Sequence, residues 1–123
     1  MRLTFLRPLF RTDNIKATID FYIGILGFTL IEYNEGWGWA SLQKDDVWIM
    51  LAKPDEHEVF KGHAFTGSIY FTTDDVDAVW QQVKDKAKVC YEPESFEWGM
   101  KEFAIYDNNG YLLQFGQEVD SAR

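Results

Sequence analysis

Phe10-Arg11-Thr12-Asp13-Asn14-Ile15-Lys16-Ala17 returns at an offset of 61 residues as Phe71-Thr72-Thr73-Asp74-Asp75-Val76-Asp77-Ala78, with Phe, Thr, Asp and Ala kept and Ile exchanged for Val. Trp37-Gly38 recurs at the same offset as Trp98-Gly99. An offset held across separate segments marks a duplication. Two copies in 123 residues are too few for a solenoid, which needs about three stacked units to build a continuous core. The expectation is one domain, residues 1–123, made of two similar halves: about 2–52 and 66–117, joined by a linker at about 53–65.

Each half reads outward from its repeat. Residues 3–11 read as a strand. Thr12-Asp13-Asn14 then offers side-chain oxygens to cap a helix that runs to about Leu26 and stops at Gly27. Ile15, Ile19, Tyr22, Ile23 and Leu26 recur at helical spacing and predict its buried stripe. Strands follow at Phe28–Tyr33, Trp37–Gln43 and Val47–Leu51, with turns at Asn34-Glu35-Gly36 and Lys44-Asp45-Asp46. The second half repeats this order. Its first strand is Thr66–Phe71, its helix starts at Thr73-Asp74-Asp75 and carries Val76, Val79, Trp80 and Val83, and its later strands lie near Lys88–Tyr91, Lys101–Tyr106 and Tyr111–Gly116. Asp107-Asn108-Asn109-Gly110 supplies turn residues that tolerate positive φ. The fold class is therefore α+β, two β-α-β-β-β modules.

Composition narrows function. Apolar residues make up 46% of the chain and aromatic residues 17%, enough for a packed core. The longest apolar run, Phe21–Phe28, falls far short of the about 20 residues needed to cross a bilayer, so a cytoplasmic protein with no membrane partner is expected. A net charge of −8 opposes a phosphate backbone, so no nucleic acid partner is expected. A small-molecule ligand, cationic or neutral, suits that charge better. The single cysteine, Cys90, cannot form an internal disulfide.

Alternation along the strands assigns faces. Ile49, Leu51, Ile69, Phe71, Leu113, Phe115, Leu42 and Phe103 should turn toward the helices. Trp39, Ser41, Trp48, Met50, Ser68, Tyr70, Met100, Glu102, Leu112 and Gln114 then share the opposite face.

With the two modules, the helix ending I-D-F-Y-x-x-x-L-G-F (Ile19–Phe28) and the closing W-G-M-K-E-F-A-I-Y-D-N-N-G-Y-L-L-Q-F (Trp98–Phe115), the chain resembles the vicinal oxygen chelate superfamily of glyoxalases, bleomycin-resistance proteins and ring-cleaving dioxygenases. The resemblance implies paired modules curled into a cup-shaped mixed sheet with the helices outside. It also implies four metal-ligand positions, which fall here on Arg7, Met50, Ser68 and Gln114. Only Gln114 is a reasonable ligand for a hard divalent ion: Arg offers no lone pair, Met is too soft, and a lone Ser binds weakly. A shift of one residue would substitute Pro8, Leu51, Ile69 and Phe115, which are no better. His57 and His63 in the linker are read as ordinary surface histidines. The expectation is therefore no metal, no cofactor and no catalytic residue.

The branch of the superfamily that this leaves is the bleomycin-resistance-like binding proteins, and the resemblance implies a homodimer that sequesters an antibiotic-like aromatic or cationic molecule in an aromatic cleft. The residues expected to line it are Arg7, Trp39, Ser41, Trp48, Met50, Ser68, Tyr70, Trp98, Met100, Glu102 and Gln114. Tryptophans supply stacking area, the polar groups orient the ligand, and Arg7 either pairs with Glu102 or meets an anion. The alternatives are a metal-dependent lyase, isomerase or dioxygenase of the same superfamily, Glu102 acting as a general base, or a module whose cup is filled by its own side chains.

Overall fold

The computed structural model describes residues 1–54, 60–62 and 64–119; His57 and His63 lie outside them. The chain forms two compact units, residues 1–62 and 63–123, and each is a β-α-β-β-β module. The first holds β1 (Leu9–Arg11), α1 (Ile15–Gly24), β2 (Thr29–Asn34), β3 (Trp39–Lys44) and β4 (Val47–Ala52). The second holds β5 (Ile69–Thr72), α2 (Val76–Val83), β6 (Lys88–Ser95), β7 (Met100–Tyr106) and β8 (Leu112–Glu118). Strand order is β1-β4-β3-β2 in one sheet and β5-β8-β7-β6 in the other. In each, the first strand lies parallel to the last and the other pairs are antiparallel.

The repeated sequence makes the same local bonds twice. Asn14 caps α1, its side-chain oxygen accepting from the Ala17 amide at 3.1 Å, and Asp75 caps α2 by accepting from the Ala78 amide at 3.0 Å. One step earlier, the hydroxyls of Thr12 and Thr73 accept from the amides of Asn14 and Asp75. A helix left without its cap exposes an unpaired N–H. Asn14→Ala and Asp75→Ala should each cost about 1 kcal/mol, read as a lower urea midpoint at constant slope; an unchanged midpoint would show that water replaces the cap without loss.

At its other end α1 closes on Gly27, whose φ of 78° suits a residue without Cβ. The Gly27 amide reaches Ile23 O at 3.1 Å and the Phe28 amide reaches Tyr22 O at 2.9 Å, a pattern that satisfies the last carbonyls of the helix. The regular helix stops at Gly24, although the capping bonds carry the turn to the predicted stop.

The two cores follow the predicted faces, with one exception. Leu42, Ile49 and Leu51 are fully buried in the first unit, and Phe103, Ile105 and Leu113 in the second. Tyr22 is enclosed by Phe10, Phe21 and Phe28. In the second unit Phe71 stacks on Phe115, Phe115 on Phe103, and Trp80 meets Phe103 edge-on at 5.2 Å. The exception is Ile23, which is exposed. Thr18 takes part in the buried stripe instead, its hydroxyl bonded to Thr12 and to Asn14 O.

The strand expected over residues 3–11 is much shorter. Only Leu9–Arg11 pair with β4, and the last backbone contact before them is the Met50 amide to Pro8 O. Proline has no N–H to continue a ladder. The apolar alternation before it leaves Leu3, Phe5 and Leu6 exposed.

Candidate functional site

The second unit gathers polar side chains on the face of its sheet away from α2. Register places Tyr70, Gln114, Ala104 and Tyr91 in one row across β5, β8, β7 and β6. The adjoining row holds Thr72, Gly116, Glu102 and Glu94. Side chains two apart on a strand share a face, so these rows form one surface, with the small residues Ala104 and Gly116 as its floor.

Glu102 is the centre of that surface. It is only 6% exposed, and its two carboxylate oxygens accept from the hydroxyls of Tyr70 at 2.5 Å and Tyr91 at 3.4 Å. The network continues outward. The Gln114 side-chain amide donates to the Tyr91 oxygen at 2.9 Å, and the Ser68 hydroxyl donates to Gln114 Oε1. Each donor along this chain is directed toward Glu102, whose carboxylate oxygens are its terminal acceptors. Bonds to a charged group are worth about 1.5–3 kcal/mol when well formed, so the Tyr70 bond is the strong one and the Tyr91 bond the weak one.

The phenols register the carboxylate. Burial, then the hydrogen bond to Glu102 and the charge of Glu102, push the Tyr70 phenol up from 10.0 to about 12. Tyr91 is also raised, first by burial; the bond from Gln114 works against the shift and the Glu102 charge adds to it. Both therefore stay protonated at neutral pH and serve as donors.

Two backbone features make the cluster. Between Val89 and Tyr91 the register of β6 slips against β7, so that Val89 opposes Ile105 while Tyr91 opposes Ala104. The extra residue, Cys90, is a bulge that turns Tyr91 to the site face; a regular strand would have sent it toward the helix. Gly116 supplies the second. A Cβ there would lie 1.8 Å from the Tyr70 hydroxyl oxygen, so Tyr70 reaches Glu102 across the space that glycine leaves open.

An aromatic strip runs from Tyr91 into the β6–β7 loop. Tyr91 meets Phe96 edge-on at 6.3 Å, and Phe96 stacks on Trp98 at 4.6 Å with the rings 8° from parallel. Trp98 is 63% exposed. Gly99, at φ 88°, closes this loop with a bond from its amide to Phe96 O.

Of the residues expected at the site, Ser68, Tyr70, Glu102 and Gln114 are brought together in this network, and Trp98 ends the strip beside it. Met100 is half-buried at the start of β7. Arg7, Trp39, Ser41, Trp48 and Met50 lie in the first unit. There the Arg7 guanidinium stands 4.9 Å from the Phe5 ring centroid and 5.2 Å from that of Trp48. Met50 and Ser41 are opposed across β4 and β3, and Ser41 is 3% exposed with no hydrogen-bond partner for its hydroxyl among the described residues. Tyr91, Phe96 and Gly116 were not among the expected residues.

The four positions at which the resemblance would put metal ligands do not fit a divalent ion. In the second unit the Ser68 hydroxyl donates to Gln114 Oε1, so the one good donor atom is already an acceptor in a protein bond. In the first, Arg7 is packed on aromatic rings and Met50 offers a thioether, ill-suited to hard cations. No step through a metal is derived from these residues.

Comparison with known proteins gives a consistent picture. The family model described as the Glyoxalase/Bleomycin resistance protein/Dioxygenase superfamily matches residues 4–115. Proteins named bleomycin resistance protein from Geobacillus stearothermophilus and Staphylococcus aureus are each 26% identical over 130 aligned positions, covering 93% of this chain and 96% of theirs. Among solved structures, a protein of unknown function from Agrobacterium tumefaciens superposes with a TM-score of 0.79 at 18% identity, covering 97% of both chains. A glyoxalase/bleomycin resistance protein/dioxygenase from Nocardioides gives 0.74 at 16% identity, covering 100% of this chain and 88% of that one.

Proposed function

Since the chain belongs to the Glyoxalase/Bleomycin resistance protein/Dioxygenase superfamily, we propose that it binds and sequesters a small antibiotic-like molecule, aromatic or cationic, and performs no reaction on it. The observation that carries this reading is the buried Glu102 carboxylate, held by Tyr70 and Tyr91 beside the Phe96–Trp98 stack. The phenols that hold the carboxylate carry no positive charge to offset it, and an organic cation arriving beside it gains both the carboxylate's charge and the faces of the tyrosine rings. The stacked, exposed Trp98 offers area to a planar group at little entropic cost. Likeness to proteins named for bleomycin resistance supports the ligand class, and the homodimer implied by that likeness is part of the same proposal.

Thermal unfolding with a panel of cationic and aromatic antibiotics, bleomycin among them, tests the reading. A ligand at 100 times its Kd adds about 2.7 kcal/mol to stability, a clear rise in melting temperature. Glu102→Gln should abolish the rise for cationic members and leave neutral aromatic ones nearly unchanged. A panel that shifts nothing, or a shift indifferent to both Glu102→Gln and Trp98→Ala, would defeat the proposal.

A further inference from the structure

The first unit has a cleft of its own, of about 900 Å³, lined by Arg11, Glu32, Trp37, Trp39, Ala52 and Lys53 among others. Its floor follows from register. Arg11, Ala52, Trp39 and Asn34 form one row across β1, β4, β3 and β2, with the small Ala52 between a guanidinium and an indole. Trp37 stands over the end of this row. Its amide is held by the Asn34 side chain at 2.9 Å, while the ring is 75% exposed.

Lys53 is positioned with unusual care for a surface lysine. Its amide donates to Gly38 O at 2.8 Å, and its carbonyl accepts from Arg11 Nη1 at 3.2 Å. A Cβ on Gly38 would come within 2.4 Å of Lys53 Cδ and 2.6 Å of its Cγ, so the glycine lets the lysine stem lie against the turn. The result sets two cationic side chains beside two indoles in a protein whose net charge is −8.

The duplicated second unit shows that the fold itself does not require these cations. There the Val119 amide bonds to Gly99 O at 2.9 Å, and a Cβ on Gly99 would meet nothing within 4 Å. Thr72 stands at the repeat position of Arg11. Thr72 pairs with Gly116 as Arg11 pairs with Ala52, and the residue that follows, where the first unit has Lys53, is Gln117, so neutral side chains stand there in place of the two cations.

We propose that this cleft is a second binding site, confined to the first unit, for an aromatic carboxylate: Lys53 and Arg11 take the carboxylate and Trp37 and Trp39 take the ring. Its volume lies within the usual range for small-molecule pockets, about 300–1,000 Å³. A guanidinium matches a carboxylate in shape as well as charge. Glu32, on the β2 side, disfavours an anion there and so directs the carboxylate toward β1 and β4. The residues that line this cleft belong to the first unit and the network around Glu102 to the second, and neither proposal depends on the other.

The experiment is a titration of the intact chain with benzoate, following the indole N–H signals of Trp37 and Trp39 by NMR, with benzyl alcohol and benzylamine in parallel. Benzoate should move both signals saturably and bind at least tenfold more tightly than either analogue. Lys53→Met, which keeps the stem, and Arg11→Gln should each weaken benzoate about tenfold. Equal binding of benzyl alcohol would reduce the site to stacking, preference for benzylamine would make Glu32 the recognising group, and movement of Trp98 instead of Trp37 would put the anion elsewhere. Any of these, or no response at all, overturns the assignment.

Discussion

Gly116→Ala should separate Tyr70 from Glu102 and weaken binding of a cationic ligand about tenfold or more. The added methyl would overlap the Tyr70 hydroxyl. Tyr70 is 41% exposed, so the ring has room to swing outward, and the cost to stability should be about 1–3 kcal/mol, typical of overpacking. The more specific readout is titration. A phenol raised from 10.0 to about 12 by burial and by Glu102 is favoured in its protonated form by the folded state. The stability it contributes is complete below pH 10 and is lost as pH rises toward about 12. In Gly116→Ala the Tyr70 ionisation should move back toward 10.0, seen in the absorbance of tyrosinate, and the alkaline loss of stability in that window should shrink. Tyr70→Phe should remove the same contribution without the added methyl. If Tyr70 still titrates near 12 in Gly116→Ala, the space above Gly116 is not what admits it to Glu102.

The Gly116 contact also shows where a sequence stops being readable. The β-α-β-β-β order could be read because its signals are local and doubled: Thr12-Asp13-Asn14 and Thr73-Asp74-Asp75 each cap a helix within three residues. The buried faces could be read because regular strands alternate, which placed Leu42, Ile49, Leu113 and Phe103 correctly. Tyr91 escaped for the same reason. Its face depends on a bulge at Cys90, and a rule of two has no means of counting an extra residue. Gly116 looks like any strand residue until Tyr70 is known to cross it, a relation between two strands 46 residues apart in neither's own pattern but in their parallel pairing. Residues 3–8 failed in the opposite sense: their alternation is strand-like, but Pro8 interrupts the ladder that alternation alone assumes. The face of Glu102 was legible; its phenolic partner on β6 was not.

Phe103→Ala is expected to give the largest loss of stability, about 3–5 kcal/mol. Phe103 has no exposed surface and is gripped between Phe115, stacked at 5.2 Å, and Trp80, edge-on at 5.2 Å. Its removal leaves a cavity against two rings that cannot both move into it, because Phe115 also stacks on Phe71 at 5.1 Å. A close-packed interior relaxes only partly around such a gap. The effect should reach the site through β7, where Phe103 follows Glu102 on the opposite face of the strand. Hydrogen exchange should therefore rise across β7 and β8, and the Tyr70 ionisation should fall from about 12 as Glu102 loses its fixed position. Phe103→Leu refills most of the volume and should restore both. If Phe103→Ala lowered the melting temperature while Tyr70 kept its high ionisation, the carboxylate would be held by its hydrogen bonds alone, and the aromatic layer beneath the sheet would support the fold without setting the geometry of the site.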